Sequence, residues 1–310
     1  MVGRPHIVRS PNRGSDLKHF CSLLTVLLAV SSTPGTGQDP TRRPATSCPA
    51  DSEIANLIAG SDLVLLGRME VPTQRLVEEA RKPSPDYLDI PIQIADVLKG
   101  SDIGRATVRF YPRDAPYKPS NEAVLGLSDT PAIVFLTRVD EGPGGLYFAG
   151  HSSDALKAAT DQTLDAVRTE ISRQARIIRS WRTDATLPRF GEVRELIARL
   201  GHVSGDEQQR VFDRLEALGD EAVPAIIAQM DDRRSLRTPA ISLVNRAPDA
   251  FEGMRYYGPE QVVDALDAVL NQITGTSFGS IVNGGSDRQR EATVSGWRVY
   301  AVDLACRRIR

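Results

Sequence analysis

Apolar residues recur along this chain with two different periods, and the change falls near residue 150. Before it the runs are short and end in turn residues. Residues 62–69 form an apolar run suited to a buried strand. In residues 87–98 the apolar side chains Ile90, Ile92, Ile94, Val97 and Leu98 fall partly at alternate positions, and a Lys-Gly-Ser-Asp turn follows. Residues 106–111 alternate with β-branched and aromatic side chains, and residues 132–139 are the most apolar strand candidate. A Gly- and Pro-rich connection at 140–145 then leads into residues 146–149 as a hairpin partner. Five short strands in about a hundred residues suit a small barrel or sandwich. Residues 51–59 and 75–81 are expected to add short helices before the first and second strands.

After Gly150 the period becomes helical. Ser153 or Asp154 can cap a long helix in which Leu164, Val167, Ile171, Gln174, Ile178 and Trp181 recur at spacings of three and four. One polar residue, Gln174, interrupts that stripe. Shorter stripes follow: Val193, Leu196, Ile197 and Leu200; then Val211, Phe212, Leu215 and Leu218, closed by Gly219; then Val223, Ile226, Ile227 and Met230. Pro239 and Pro259 each read as the first residue of a helix, so helices are expected near 239–245, 259–271 and 287–306.

Residues 206–232, DEQQRVFDRLEALGDEAVPAIIAQMDD, resemble a HEAT repeat. One amphipathic helix ends at Gly219, and Val223 with Pro224 opens a second, antiparallel one. Neither hides its stripe alone, which implies packing against neighbouring repeats. Ile273 to Gly279 together with Gly296, Trp297 and Arg298 also looks like the ending of some bacterial helical-repeat proteins. Residues 48 to about 181 resemble a bacterial relative of the netrin-like module of tissue inhibitors of metalloproteinases. The matching pieces are Ser47-Cys48-Pro49, the run from Ser61 to Arg68, and Ile92 to Gly100 with its Val-Leu-Lys-Gly ending. That resemblance implies an OB-like five-stranded barrel with a packed helix. In the inhibitors a Cys-x-Cys start sets an α-amine on the protease zinc; here position 46 is Thr and the other framework cysteines are missing. The expected fold is therefore α+β: an OB-like β-barrel with a C-terminal helix at 48–182, then an all-α HEAT-like module at 190–310.

The first residues follow another logic. Arg4, Arg9, Arg13 and Lys18 precede an apolar run from Phe20 to Val30, and small residues follow it. Residues 1–31 thus read as a secretory signal peptide, too short to cross a bilayer core. Residues 32–47 carry no large apolar side chain and read as a flexible linker. Residues 1–37 hold four of the 38 basic and one of the 40 acidic groups, so the formal charge of the rest is −5. A mildly acidic chain with 5% aromatics gives no case for nucleic acid and offers no evident stacking platform. Cys21 leaves with the signal. Cys48 and Cys306 remain, either as one disulfide joining the two ends or as two separate thiols.

Chemistry is sparse in this pattern. His151 and His202 stand apart, and no G-x-S-x-G elbow or phosphate loop occurs. The acidic pairs Asp86/Asp89 and Asp231/Asp232 lie in turns. Arg233, Arg234 and Arg237 follow the second pair and read either as a salt-bridged turn or as a contact for an acidic partner. No cofactor or metal is expected, and no membrane span in the processed chain. The expectation is an exported, non-catalytic binding or scaffold protein whose partner is another protein. A metalloprotease-inhibitor-like edge starting at Cys48 is the alternative, and an enzyme with a site near His151 the third reading.

Overall fold

The computed structural model describes residues 48–310 apart from 102, 114, 116, 139–145, 150–151, 246–251, 280 and 310, and no side chain beyond 306. The signal-like segment, the linker, His151 and the 140–145 connection therefore lie outside the described residues. Asp51 starts the first element. Its carboxylate accepts the backbone N–H groups of Glu53 and Ile54, which a helix start otherwise leaves unpaired. Helix α1 (Ser52–Ala59) follows, with Ile54, Leu57 and Ile58 buried.

Strand β1 (Leu63–Met69), helix α2 (Thr73–Ala80), strands β2 (Leu88–Lys99) and β3 (Ala106–Phe110), helix α3 (Asn121–Gly126), and strands β4 (Ala132–Arg138), β5 (Leu146–Ala149) and β6 (Leu156–Ala158) come next. Strand β1 pairs antiparallel with both β2 and β4, β2 with β3, and β4 with β5, while β3 and β5 run parallel. The ring closes in the order β1-β2-β3-β5-β4, a five-strand barrel compatible with an OB-like fold. Register shifts between Val64 and Leu65 and between Leu66 and Gly67 bend β1 around this tight ring. Gly67 allows the close approach of β2: a Cβ there would lie 2.5 Å from the Gln93 carbonyl oxygen.

Two parts of this half differ from the expectation. Residues 156–158 are not the start of a helix; they pair with Ala132, Ile133 and Val134, completing the edge of β4 that β5 leaves open beyond Leu136. Helix α4 (Asp161–Ser180) therefore begins later than Ser153 or Asp154, capped by the Thr160 hydroxyl, which accepts from the Thr163 N–H. The short α3 has no counterpart in the sequence reading.

The stripe on α4 serves two cores. Val167, with Leu164 and Ile171, belongs to the apolar cluster that fills the barrel, whereas Ile177, with Ile178 and Trp181, belongs to the cluster of the helical region. Gln174 sits at the change-over, buried, its amide donating to the Ala55 carbonyl at 2.8 Å and to Glu170 at 2.9 Å. The single polar interruption thus marks where the helix passes from one core to the next, and its bonds keep a buried amide satisfied.

Beyond it come α5 (Phe190–Arg199), α6 (Gly205–Ala217), a 3-10 turn at Gly219–Ala222, and α7 (Val223–Ile227). The pair α6 and α7 stands where one HEAT repeat was expected, but α7 holds only 5 residues and the chain does not continue as an array of helix pairs. The expected helix near 239–245 is instead strand β7 (Ile241–Val244), paired antiparallel with β8 (Met254–Tyr257), so the region is not all-α. Ile241 and Leu243 are buried while Ser242 and Val244 face outward, a strand period. Two side chains of α6 also hold this segment extended. Gln209 donates to the Ser242 carbonyl and accepts its N–H, and Gln208 donates to the Thr238 carbonyl. Pro239 thus precedes a strand rather than opening a helix.

Helix α8 (Val262–Thr274) starts three residues after Pro259, because Asp264 accepts the N–H groups of Glu260 and Gln261 and fixes the first turn there. The last helix, α9 (Asp287–Ile309), covers α8 on one side and reaches α1 and α4 on the other. Residues from Cys48 onward thus belong to one compact unit with two cores. Among the described residues, no helix is long and apolar enough to cross a membrane.

The motif made by Phe278, Gly296 and Trp297 has a packing explanation. Phe278 lies against Gly296 and meets Trp297 edge-on at 5.0 Å; Tyr300 meets Trp297 at 5.5 Å. A Cβ on Gly296 would stand 2.6 Å from the Phe278 side chain. Gly296→Ala gains about 1 kcal/mol of helix propensity, but overpacking of about 1–3 kcal/mol outweighs it. The expected outcome is a net loss of stability with a changed near-UV signal of the three rings, measured by urea unfolding and circular dichroism.

Candidate functional site

The structure brings Cys48 and Cys306 together as a disulfide, with Cα atoms 5.7 Å apart. Cys48 is exposed and Cys306 is buried on α9. One turn earlier on α9, Asp303 enters a buried ion-pair group. The Arg173 guanidinium binds both Glu170 oxygens at 2.7 and 2.8 Å and reaches Asp303 at 2.9 and 3.0 Å. Burial works against the Arg173 charge, but the two carboxylates more than offset it and raise its pKa. Disulfide, ion pairs and the Gln174 amide together tie α1, α4 and α9 into one block.

The three arginines singled out in the sequence separate into different roles. Arg234 is a structural clamp: it binds both oxygens of Asp232 and donates to the carbonyls of Ile197 and Leu200 at the end of α5. Asp232 raises its pKa. Arg233 donates to the Met230 carbonyl, and Arg237 is exposed. The acidic pairs are likewise engaged in part, Asp231 with Arg298 and Asp89 with Arg109. His202 is exposed, and His151 falls outside the described residues. Three aromatic residues gather on the barrel: Tyr87 stands 5.0 Å from Tyr111 and 6.5 Å from Phe148.

A cleft of about 290 Å³ opens where the barrel, α4 and α9 meet. Its polar wall is assembled from distant parts of the chain: Asp62 after α1, Lys99 at the end of β2, Arg138 at the end of β4, Tyr147 on β5 and Arg288 on α9. Leu63, Ile103, Ile178 and Ala292 give it an apolar wall. Two further hollows, of about 310 and 60 Å³, share Ser61 with it.

Lys99, Asp62, Arg138 and Tyr147 are each held in place. The Lys99 ammonium donates to the carbonyls of Ile58 and Ser61, at 2.5 and 2.7 Å, and so caps the C-terminal end of α1. Burial around the ammonium pulls its pKa down to about 8, with Asp62 opposing. Asp62 accepts the Arg138 backbone N–H at 2.8 Å. The Arg138 guanidinium lies over the Tyr147 ring, 5.4 Å from its centroid, and donates to the Tyr147 hydroxyl at 3.2 Å. Charged and polar side chains, with the hydroxyls of Ser101 and Ser295, thus line a cleft that also has an apolar wall, the make-up of a small-molecule site.

A second polar cluster is wholly buried between α8 and α9. Arg290 binds both oxygens of Asp264 at 2.8 and 3.0 Å, and the Trp297 indole N–H donates to Asp267 at 2.7 Å. Burial pushes Asp267 up to about 7, the Trp297 N–H opposes this, and Asp264 adds to it. A carboxyl group raised from its ordinary value of 3.8 holds its proton in the folded state where the unfolded chain has lost it. Its contribution to stability is complete below about pH 4 and is lost as pH rises through 7, at up to about 1.4 kcal/mol per pH unit. Asp267→Asn is expected to flatten that part of the stability–pH curve, measured by urea unfolding between pH 4 and 8. An unchanged slope would place the titration elsewhere. Among the described residues, no group of His, Cys, Asp and Glu side chains is arranged to hold a metal ion.

None of the cleft residues was singled out as a site from the sequence. Lys99 stood in a motif, the Lys-Gly ending of the second strand, and Arg138 ended the most apolar strand, but residues so far apart in sequence give no local signal of their convergence. Comparison with protein-family models, with curated proteins and with solved structures finds no match for this chain.

Proposed function

We propose that this chain is an exported, non-catalytic binding protein whose ligand sits in the cleft between the barrel, α4 and α9. The observation that carries the reading is the cleft's construction: polar groups from five separate elements or connections, on walls fixed to one another by the Cys48–Cys306 disulfide and the Arg173 ion pairs. A site fixed in advance loses little ordering entropy when it binds. The signal-like residues 1–31 and the disulfide support export to an oxidising compartment. The closed barrel with α4 packed on it supports the netrin-like reading of residues 48–182, and α6 with α7 is what supports HEAT-like kinship for 190–310.

Intact-mass and N-terminal analysis of the protein from its native host tests this. A start between residues 32 and 38 and a disulfide that opens only on reduction are expected. A full-length chain with free thiols in the cytosol would sink the reading. The exposure of Cys48 favours one second reading, an inhibitor-like edge; a mature start at Cys48 itself would move it to first place.

A further inference from the structure

We infer that Lys99 is a covalent capture site, its amine taking a small apolar aldehyde from the cleft as a reversible imine. This names the ligand of the site proposed above and rests on that reading. Of the four lysines among the described residues, Lys82 is paired with Glu79 and Lys157 with Glu53, while Lys118 lies over the Phe110 ring. Lys99 instead lines the cleft, and its two bonds go to uncharged groups, the carbonyls of Ile58 and Ser61. Two acceptors match the two hydrogens of a neutral amine, so loss of the third proton leaves both bonds in place. The remaining tetrahedral position of the nitrogen then carries the lone pair. A lysine paired with a carboxylate is held in its charged form and lacks that state.

The surroundings favour both the amine and an apolar partner. Burial pulls the Lys99 ammonium down to about 8 with Asp62 opposing, whereas Glu79 raises Lys82 above its ordinary value. At pH 7 about one Lys99 in ten is then a neutral amine, the form that attacks a carbonyl carbon. The other charged or titratable groups facing the cleft are Asp62 from the α1–β1 connection, Arg138 from β4, Tyr147 from β5 and Arg288 from α9; α4 presents Gln174 and Ile178. Leu63, Ile103, Ile178 and Ala292 offer an apolar wall, and a volume of about 290 Å³ suits a short or branched aliphatic chain.

The step balances without an oxidant or reductant. The ammonium gives one proton to solvent, and the lone pair forms the N–C bond as the carbonyl oxygen takes up a proton. The nitrogen then loses a proton, the C–O bond breaks, and water leaves behind the C=N bond. Water reverses the reaction, as a binding protein requires. The protonated imine keeps one N–H for one of the two carbonyls.

The test treats the intact, oxidised protein with 3-methylbutanal and sodium cyanoborohydride, which reduces an imine to a stable secondary amine. Peptide mass mapping then reads each lysine separately. At pH 7 Lys99 should be alkylated at least about tenfold faster than Lys82, Lys118 and Lys157. Its rate should climb towards pH 8 and level off above it while that of Lys82 still rises. With glycolaldehyde, whose body is polar, the preference for Lys99 over Lys82 should shrink several-fold. Ser295→Leu, at the cleft wall on α9, should slow Lys99 and leave Lys82 and Lys157 unchanged. Lys99 reacting no faster than Lys82 and Lys157, an equal preference with glycolaldehyde, or a Lys99 rate unmoved by Ser295→Leu would each overturn the inference. The first two readings use the unmutated chain and decide the case even where Ser295→Leu fails to fold. An exported, disulfide-bonded chain by mass analysis would leave the broader reading standing in those cases.

Discussion

Arg173→Ala is expected to lower the unfolding free energy by about 3–5 kcal/mol, the largest single-residue effect anticipated for this protein. The reason lies in what remains behind. Glu170 and Asp303 are both buried, and Arg173 is the cation between them. Removing it takes the guanidinium away from two buried carboxylates, and the loss of its charge must be met by protons or by water drawn in. Replacing all three by apolar residues of similar volume should recover most of the loss, since the desolvation of the charges disappears along with their attraction. Urea midpoints of the single and triple variants separate the two cases. If Arg173→Ala unfolds at the wild-type midpoint, the group does not hold α4 to α9 as described.

The second large effect concerns the disulfide. Cys48 and Cys306 are 258 residues apart, so the bond removes a long loop's freedom from the unfolded chain. Cys48→Ser with Cys306→Ser should cost about 2–5 kcal/mol, a fall in Tm on the order of 10 °C for a chain of this size. Reduction of the unmutated protein should reproduce the fall, and an unchanged Tm after complete reduction would refute it. Because Asp303 and Cys306 lie one turn apart on α9, the two losses are not expected to add; a variant lacking both Arg173 and the disulfide should show a clear coupling energy.

How much could be read from the chain alone depended on how local each signal was. The five barrel strands were legible because alternation and turn residues lie within a few positions of each other, as in residues 132–139. Helix α1 was legible from Asp51 and the apolar residues behind it. Strand β6, 3 residues long, exists only because β4 has an open edge beside β5, which no window of sequence shows. Strand β7 was hidden by Pro239, whose neighbours are held extended by Gln208 and Gln209 from another helix. Gln174 was visible as a break in a stripe, but its meaning, a change of core, needed the packing. The cleft was illegible for the same reason: Asp62, Lys99, Arg138, Tyr147 and Arg288 share no spacing, and only closure of the barrel and the return of α9 place them together.

The Cys48–Cys306 bond also decides how the protein answers to force. Tension applied between residues 48 and 306 runs through one sulfur–sulfur link and a few atoms on either side. The barrel and the helices hang beside that load path and carry none of it. A chain pulled from before residue 48 and after residue 306 is then expected to bear the load without unravelling, its cleft keeping its shape. Under reducing conditions the same pull would pass through α9 and load its packing against α4.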